Sequence, residues 1–367
     1  MKYSTGYNPP SAKLHVADPA LWRPTQYDDQ VRDPNLLWLD RGECFDPSFH
    51  EFVHRLLADI PVHSVFAYPT PGPLYRKLAR HLDVPREHLL LTRGSNGAIK
   101  AVFEAYISAG DAIVVTQPTF QMYGVYAQMF GARVHGVPYT LRNGRPHLDV
   151  EALIAHISKV RPKLVGLPNP DNPTGFAFDN DQLRDVIEAA GDVGALMLVD
   201  EAYFPFLDQT AVPLIETYGH LVVARTFSKA WGMAGIRLGY TVAQPAISET
   251  LNKVRTMTES DGISMALAER MLDHQDIVDQ SIARLIEGRH LLATELNTLG
   301  FNAIETPCNF VLVDFGARRQ AATDALANVA RFRVFPVPPL ENFVRFTTTT
   351  PALVRRVIDC LKPAAGN

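Results

Sequence analysis

Short apolar runs alternate with stretches of helical periodicity along residues 88–240. Each apolar run predicts a buried strand, and the apolar residues that recur at helical spacing between the runs predict amphipathic helices. Strands that alternate with helices form mostly parallel sheets with helices on both faces. The pattern therefore predicts an α/β fold, with strands at 88–92, 112–115, 163–167, 195–199 and 221–224.

The pattern changes after residue 240. Helical spacing returns at 247–256 and 264–272, and a long periodic stretch at 277–299 predicts a helix that joins two domains. A chain of 367 residues exceeds the usual size of a single core. We therefore predict an N-terminal arm with part of the small domain, a large cofactor-binding domain and a small C-terminal domain, at 1–46, 47–272 and 273–367.

The N-terminal arm is rich in Pro, Asp and Trp and has little periodicity. This composition is typical of an extended segment that packs on the body or on a partner subunit, and disorder is the alternative. The apolar bulk of Trp22, Leu36, Leu37 and Trp38 argues against disorder, because disordered segments rarely carry such side chains.

Polar clusters follow the predicted strands at the point where each strand ends. Ligands of open α/β sheets bind outside the carboxyl ends of the strands, so we expect these clusters to converge on one cavity. The clusters contain Gly94, Ser95 and Asn96, then Phe120, then Asn172, then Asp200 and Tyr203, and finally Thr226, Ser228, Lys229 and Arg237.

The turn at residues 93–97 is weak support for a ligand site when it is taken alone. A strand, a Gly/Ser/Asn turn and a helix place free amides and a positive helix end where an anion can bind. A plain helix N-cap at Ser95 or Asn96 explains the same residues, and both interpretations can hold at once.

Lys229 and its neighbours are the residue types of a covalent cofactor site. A lysine amine that stays neutral can form a Schiff base with a carbonyl compound. Thr226, Ser228 and Arg237 are residue types that bind phosphate, arginine through paired charged hydrogen bonds. A Ser-Lys pair taken alone would indicate only a surface lysine. The polar residues at the ends of the other predicted strands favour a ligand site instead.

One cofactor, pyridoxal 5′-phosphate, uses all of these groups. Its aldehyde needs Lys229, and its ring nitrogen needs the carboxylate of Asp200 to stay protonated and act as an electron sink. Tyr203 and Asn172 would bind the ring oxygen, and Phe120 would stack on the ring, which contributes about 0.5–1.5 kcal/mol. Its phosphate needs the helix end and the arginine described above.

The same motifs carry a resemblance to a known family. They are Tyr68-Pro69, Arg93-Gly94, Pro118-Thr119-Phe120, Asn172-Pro173-Thr174-Gly175, Asp200-Glu201-Ala202-Tyr203, Ser228-Lys229, the segment 234–239 and Val344-Arg345-Phe346. In this order they resemble the fold-type I aminotransferases of the aspartate aminotransferase superfamily, most closely the histidinol-phosphate aminotransferase-like branch. The resemblance implies a three-layer αβα large domain with a mostly parallel seven-stranded sheet, plus a smaller α/β domain.

The resemblance implies the cofactor roles given above and adds others. It implies that Lys229 also moves the proton between the substrate Cα and the cofactor C4′. Tyr68 resembles the tyrosine that reaches the phosphate of the neighbouring subunit's cofactor, which implies a homodimer with shared active sites. Arg345 resembles the clamp for the substrate α-carboxylate, to which a planar two-donor fork is suited. Tyr203 as a core tyrosine and Arg345 as a surface salt bridge are the alternatives.

Departures from the family pattern concern the substrate. An early family motif is replaced by the segment 41–47, in which Glu43 is a candidate substrate contact. Histidinol-phosphate enzymes commonly have an arginine where this chain reads Val334-Phe335-Pro336-Val337, which argues against histidinol phosphate as the substrate. The segment 258–262 carries Glu259 and Asp261, which favour a cationic or neutral polar substrate side chain unless they form a solvated turn.

We therefore predict an aminotransferase that moves an amino group between an L-amino acid, or a related amine, and a 2-oxo acid. Decarboxylation or oxygen-dependent oxidation of an amino acid on the same cofactor is the alternative, because the bond that breaks is not encoded in these motifs. A non-catalytic half of a transcription regulator would need a DNA-binding domain, for which the arm at 1–46 is too short and too acidic.

Composition narrows the remaining possibilities. The hydrophobic content of 47% and charged content of 20% are globular values, and a net charge of −4 gives no reason to expect nucleic acid as a partner. We expect no membrane span and no signal peptide, since no apolar run is long enough and the start at 1–10 is polar. Cys44, Cys308 and Cys360 show no paired spacing, which predicts neither disulfides nor a metal site and favours the cytoplasm.

Overall fold

The structure is a computed structural model that describes residues 12–21 and 31–365. Trp22, on which part of the prediction for the arm rests, lies outside these residues. Leu36, Leu37 and Trp38 are buried, and the Trp38 indole donates a hydrogen bond of 2.9 Å to the carbonyl oxygen of Asp33. This part of the arm therefore packs on the body of the protein.

The strands and helices are numbered in chain order over the described residues. The strands are β1 Leu37–Trp38, β2 Leu89–Thr92, β3 Ala112–Gln117, β4 Arg133–Pro138, β5 Thr140–Arg142, β6 Arg145–His147, β7 Leu164–Pro168, β8 Leu196–Asp200, β9 Leu221–Thr226, β10 Gly239–Ala243, β11 Asn302–Glu305, β12 Phe310–Asp314, β13 Ala330–Arg331, β14 Arg333–Val334 and β15 Phe343–Thr347. The helices are α1 Leu14–Ala17, α2 Pro47–Ala58, α3 His63–Phe66, α4 Gly72–Leu82, α5 Gly94–Tyr106, α6 Met122–Phe130, α7 Val150–Val160, α8 Asn180–Asp192, α9 Pro245–Val254, α10 Gly262–Met271, α11 Gln275–Thr298, α12 Arg319–Leu326 and α13 Pro351–Leu361.

The central sheet has seven strands in the order β2-β10-β9-β8-β7-β3-β4. All neighbours run parallel except β10, which pairs antiparallel with both β2 and β9. Alternate residues enter opposite cores: Val223 of β9 joins the core that also holds α2, α4, α8 and α10, whereas Val222 joins the core under α5, α6 and α9. The predicted three-layer αβα domain with a mostly parallel sheet is confirmed.

A second, four-stranded sheet has the order β11-β12-β15-β14 and is antiparallel throughout. Helices α12 and α13 and the last turns of α11 cover it. The long helix α11 contributes Val278 and Ile282 to the core of the large sheet and Leu292 and Leu296 to the core of the small one. We propose the domain division given above, with α11 shared between the two cores.

The sequence pattern did not predict every element. Strand β10 was missed because it directly follows the polar lysine segment, and its apolar residues are few. Helix α5 begins at Gly94 rather than at residue 98, so the Gly/Ser/Asn turn is the first turn of the helix itself. Ser95 and Asn96 are therefore not its N-cap, which is Arg93, and their backbone amides belong to the helix N-terminus.

Candidate active site

The ends of β8 and β9 and the start of α5 surround one cavity. It includes ten residues that the sequence predicted to converge. The lining is Ser95, Asn96, Phe120, Pro168, Asn172, Asp200, Ala202, Tyr203, Thr226, Ser228, Lys229 and Arg237.

The Lys229 amine lies inside this cavity. Its Nζ donates a hydrogen bond of 2.9 Å to the carbonyl oxygen of Arg41, a residue far away in sequence. Burial, together with the nearby positive charges of Arg345 and Arg237, lowers the pKa of Lys229 to about 8, while Glu43 and Asp200 act in the opposite direction. Because this pKa is well below that of a free lysine, a much larger fraction of the amine is neutral near neutral pH and can act as a nucleophile.

Asp200 is the last residue of β8 and is 3% exposed. Burial raises the pKa of its carboxyl group to about 7, and hydrogen bonds from the Ser95 side chain and the Ala202 backbone oppose that rise. Its Oδ1 has no hydrogen-bond partner among the residues that the structure describes. A buried carboxylate oxygen without a donor is costly, so this atom is suited to an N–H of a bound ligand.

A hydroxyl and guanidinium cluster lies at the other end of the cavity. The Ser228 oxygen accepts hydrogen bonds from Thr226 Oγ1 at 2.9 Å and from Arg237 Nη1 at 3.2 Å. Gly94 faces this cluster with a φ of +69°, and a Cβ there would lie 3.2 Å from Arg237 Nη2. The N-terminus of α5, the hydroxyls and the guanidinium together form an anion site of the size of one phosphate.

Arg345 lies on β15 of the small sheet and is 6% exposed. Its Nη1 donates to Asn172 Oδ1 at 2.5 Å, and its Nη2 donates to the carbonyl oxygen of Asp40 at 2.8 Å. Its Nε, by contrast, has no acceptor within residues 12–21 and 31–365. The guanidinium is therefore oriented by the protein and keeps one N–H for a ligand. It is not the surface salt bridge that was the alternative.

A larger cavity of about 870 Å³ opens beside Lys229 and Arg345. Its outer wall is mostly apolar and carries Val134, Val334, Phe335, Pro336, Val337 and Pro338. Gln117 and Gln121 add neutral amides, and Arg41 and Arg333 add charge. Its size is within the range of small-molecule sites.

Tyr203 is 3% exposed, and its ring meets that of Phe310 edge-on with centroids 5.7 Å apart. Burial raises the pKa of its phenol well above the usual value, so the group stays protonated and can donate a hydrogen bond. Tyr203 thus packs in a small apolar cluster and lines the cofactor cavity at the same time.

Three predicted groups lie elsewhere. Tyr68 is 87% exposed and lines a separate surface groove together with Asp261. Glu43 forms a salt bridge of 2.6 Å with Arg32 and is not part of either cavity wall described above. Glu259 binds Thr256 through its side chain and accepts a hydrogen bond from Arg93 through its backbone.

The sequence interpretation named the segment 41–47 only as a departure that contains Glu43, and it did not predict that Asp40, Arg41 and Gly42 lie beside Lys229 and Arg345. Gly42 has a φ of +68°, and a Cβ at this position would lie 2.8 Å from Lys229 Nζ. The glycine was the only signal in the sequence, because a contact between residues so far apart leaves no periodic pattern. Phe335 was named only as a departure, although it lies 5.5 Å from the Arg345 guanidinium.

The cavity fits pyridoxal 5′-phosphate on three independent observations. The unpartnered Asp200 Oδ1 suits a pyridinium N–H, the hydroxyl and guanidinium cluster beside Gly94 suits a phosphate, and the Lys229 amine suits an aldehyde. Ser228 and Lys229 are adjacent in sequence, and Asp200 lines the same cavity. Pyridoxal 5′-phosphate carries one group for each of them: a ring nitrogen, a phosphate and an aldehyde.

The family model for aminotransferase class I and II matches residues 59–361. The chain is similar to the histidinol-phosphate aminotransferase of Thermoanaerobacter sp. (strain X514), with 35% identity over 78% of this chain and 80% of the relative. It is also similar to the histidinol-phosphate aminotransferase of Symbiobacterium thermophilum, with 34% identity over 82% of this chain and 83% of the relative.

Solved structures of aminotransferases share the fold of this chain. A histidinol-phosphate aminotransferase from Sinorhizobium meliloti in complex with pyridoxal-5′-phosphate superposes with a TM-score of 0.78 and 26% identity, over 90% of each chain. An aspartate aminotransferase from Thermus thermophilus with maleate shares the fold, with a TM-score of 0.72 and 22% identity over 90% of this chain and 92% of that chain.

Proposed function

The chain belongs to the class I and II aminotransferase family, and on that premise we propose that its amino donor is an α-amino acid with an uncharged side chain. The protein is a pyridoxal 5′-phosphate-dependent aminotransferase that acts on small molecules, as the sequence predicted. What remains a proposal is the substrate class, the role of each residue, the homodimer and the cytoplasmic location.

The chemistry that pyridoxal phosphate supplies when bound is an electron sink for the bond that breaks at the substrate Cα. Asp200 holds the proton on the ring nitrogen, since its buried Oδ1 requires that donor. Tyr203 would donate from its protonated phenol to the ring oxygen, and Asn172, which lines the same cavity, would be the second partner. Thr226, Ser228 and Arg237 hold the phosphate.

Lys229 acts as the proton carrier between the substrate Cα and the cofactor. Its pKa of about 8 lets the amine exist in both protonation states near neutral pH, which is what a general acid and base needs. Because Arg345 lies in the wall of the same cavity and keeps one N–H for a ligand, it can fix the substrate carboxylate beside this amine. Substrate orientation then decides which Cα bond reacts.

The observation that carries the substrate proposal is the wall beyond Arg345. Phe335 stacks near the guanidinium, and Val334 and Val337 are 44% and 41% exposed in the same wall. An anionic side chain packed against Val334, Phe335 and Val337 would lose its hydration without gaining a partner from these three residues, and the cations of the cavity, Arg41 and Arg333, lie outside this apolar patch. An uncharged side chain would instead bury apolar area, at about 25 cal/mol per Å².

A second candidate is histidinol phosphate, and one observation favours it. Arg333 lies directly across from Arg345 in the register of β14 and β15, and both line the larger cavity. Histidinol phosphate carries a phosphate ester and no carboxylate, so two neighbouring guanidinium groups would suit it. The similar proteins at 34–35% identity carry that name.

A half-reaction screen separates the two candidates. Purified holoenzyme is mixed with leucine, phenylalanine, glutamate or histidinol phosphate, and the loss of the cofactor's visible absorbance is followed by stopped flow. We expect leucine or phenylalanine to give the highest ratio of the half-reaction rate constant to the substrate Kd. If histidinol phosphate reacts faster than every amino acid, the proposal of an uncharged side chain is wrong. The Phe335→Arg variant should shift the preference toward histidinol phosphate, with Leu141→Arg as the control, because Leu141 is 47% exposed on β5 and does not line the cavity.

We also propose a homodimer in which each active site uses Tyr68 of the other subunit. Tyr68 is 87% exposed and lies in a groove whose neighbourhood exposes Val65 and Phe66 by 70% and 77%. Such a cluster of exposed apolar side chains is typical of an interaction surface. The expected partner is a second copy of this chain, because the tyrosine matches the family motif.

A complementation experiment tests the shared site. The Lys229→Ala homodimer should be inactive and the Tyr68→Ala homodimer weakly active, and mixing them after mild dissociation should restore about a quarter of the wild-type activity. In the mixed dimer one site has both an intact lysine and an intact tyrosine. Mixing Lys229→Ala with Asp200→Ala should restore nothing, because both residues belong to the same cavity wall. Absence of recovery in the first mixture would refute a shared site.

The described part of the chain has no helix with the length and apolar character needed to cross a bilayer. We propose a cytoplasmic location, supported by the three unpaired cysteines, two of which are buried. Fractionation of the native cells with an antibody would test it, and recovery in a membrane or secreted fraction would contradict it.

A further inference from the structure

A buried carboxylate that has no role in the scheme above directly precedes Asn172, which lines both cavities. Asp171 is 0% exposed and stands in the turn that follows β7. Its Oδ1 accepts hydrogen bonds from the Thr174 amide at 3.0 Å and the Thr174 hydroxyl at 2.6 Å. Its Oδ2 accepts one from the Thr119 hydroxyl at 3.2 Å. These partners are neutral groups, so they solvate the charge without neutralising it.

Asp171 joins the segments that carry two active-site residues. Thr119 directly precedes Phe120, and Asn172 directly follows Asp171, and both of these neighbours line the cofactor cavity. Asn172 in turn orients Arg345 through its Oδ1. The Asp171 carbonyl oxygen also accepts a hydrogen bond of 3.6 Å from the Cys308 thiol, which belongs to the small sheet's side of the molecule. One residue therefore ties together the ring-stacking face and the carboxylate clamp.

The ionised form of Asp171 suits this arrangement best. As a carboxylate it accepts from both threonine hydroxyls at once. The Thr174 hydroxyl also accepts a hydrogen bond of 3.2 Å from the Phe176 amide, so its own hydrogen is directed at Asp171. A proton on Oδ2 would place a donor against the Thr119 hydroxyl, which would have to turn its hydrogen away. The hydrogen bond from the Thr119 hydroxyl to Asp171, which holds the segment of Phe120, would then be lost or reversed.

Two groups of the adjoining cavity titrate near neutral pH, Asp200 with a pKa of about 7 and Lys229 with a pKa of about 8, and because both are present in wild type and in an Asp171 variant, their titration cancels in a ratio of the two. The other groups around Asp171 do not titrate in this range. Burial raises the pKa of the Tyr123, Tyr139 and Tyr203 phenols and of the Cys308 thiol above their usual values. Arg345 is linked to this region through Asn172, whose Oδ1 accepts its hydrogen bond. Burial also raises the pKa of Asp171 itself to about 7, against hydrogen bonds from Thr174 and Thr119 that lower it.

We propose that Asp171 is a positioning residue for transamination, whose ionised side chain holds the Phe120 and Asn172 segments in the geometry that binds the cofactor ring and orients Arg345. The inference rests on the proposed function of the site. A neutral amide of the same shape would avoid a buried charge, so retention of the carboxylate points to a use in activity rather than in stability.

The test is the ratio of wild-type to Asp171→Asn kcat/KM, measured across pH with one amino donor and a saturating 2-oxo acid. Near pH 8 wild-type Asp171 is ionised, and we expect a ratio of about ten, the effect of one charge-assisted hydrogen bond. Near pH 6 wild-type Asp171 is mostly protonated, and we expect the ratio to fall to about two. A purely structural role would give a ratio that does not change with pH, and that result overturns the proposal, as does a ratio of one throughout.

Two further variants complete the design. Asp179→Asn is a matched control, because Asp179 is an exposed N-cap of α8 away from both cavities, and its ratio should stay near one at every pH. Thr119→Val removes the link to the segment of Phe120 and should reproduce the pH-dependent ratio, whereas Thr119→Ser should restore wild-type values. This pair decides the question even if Asp171→Asn fails to fold. Failure of the wild-type protein to transaminate any donor would instead refute the proposed function itself.

Discussion

Replacement of Asp171 by Asn should make the protein more stable at alkaline pH while it makes the enzyme less active. The pKa of this carboxyl group rises from 3.8 to about 7 on burial, so the folded state binds its proton more tightly than the unfolded state. Stability from this group is therefore fully present below about pH 4 and is lost as the pH rises through about 7. The asparagine variant has no such loss.

The magnitude follows from the shift. Each pKa unit corresponds to about 1.4 kcal/mol, so the penalty in the wild type grows from under about 2 kcal/mol at pH 5 to about 4 kcal/mol at pH 8. For a chain of this size the second value corresponds to roughly 4–8 °C in Tm. Solvent does not screen the charge of Asp171, because this side chain is 0% exposed.

The assay is thermal and urea unfolding of wild type, Asp171→Asn and the control Asp179→Asn at pH 5, 6.5 and 8. Asparagine caps a helix about as well as aspartate, so the control should match the wild type within about 0.5 kcal/mol. The stability difference between Asp171→Asn and wild type should widen with pH. A variant that is no more stable than wild type at pH 8, or a difference that is the same at every pH, would refute the reasoning.

Lys229→Ala should abolish both turnover and the visible absorbance of the lysine-bound cofactor, and retention of either in the purified variant would remove Lys229 from its role. The rate at which free pyridoxal phosphate recombines with wild-type apoenzyme should rise with pH and level off above about 8, since burial lowers the pKa of Lys229 to about 8 and only the neutral amine reacts; a flat profile between pH 6 and 9 would contradict this. Asp200→Ala should keep some cofactor bound but lower kcat by about a thousandfold or more, because an unprotonated ring is a poor electron sink; near-normal turnover would count against the assignment. Arg345→Ala should raise KM for the amino donor and the 2-oxo acid alike, by about tenfold to a hundredfold, because both carry the same carboxylate; an effect on one substrate only would place the clamp elsewhere.

The sequence was most informative where chemistry and topology coincide. Parallel strands place their carboxyl ends together, so Asp200 and Lys229 could be assigned to one cavity from the alternation of strands and helices alone. The fold class, the cofactor and the aminotransferase activity that followed from these residues are confirmed. The roles of the single residues stay predictions.

Contacts between segments that are remote in sequence could not be predicted from the sequence. The Arg41 carbonyl that accepts from Lys229, the Asp40 carbonyl that accepts from Arg345, and Gly42 beside the amine all belong to one irregular stretch. Their positions depend on how the N-terminal segment returns across both sheets, which no local periodicity encodes. Strand β10 was missed for a different reason: an antiparallel strand that follows a long polar loop has no helix before it to mark the alternation.

Helix α11 has a consequence for how the molecule deforms. Its first turns are packed among residues under the large sheet and its last turns among residues under the small one, within one continuous rod of 24 residues. Unfolding of either core would remove the packing partners of half of α11. We therefore expect the two domains to unfold cooperatively. Any displacement of the small sheet relative to the large one therefore has to bend or rotate α11, because this helix is packed in both cores.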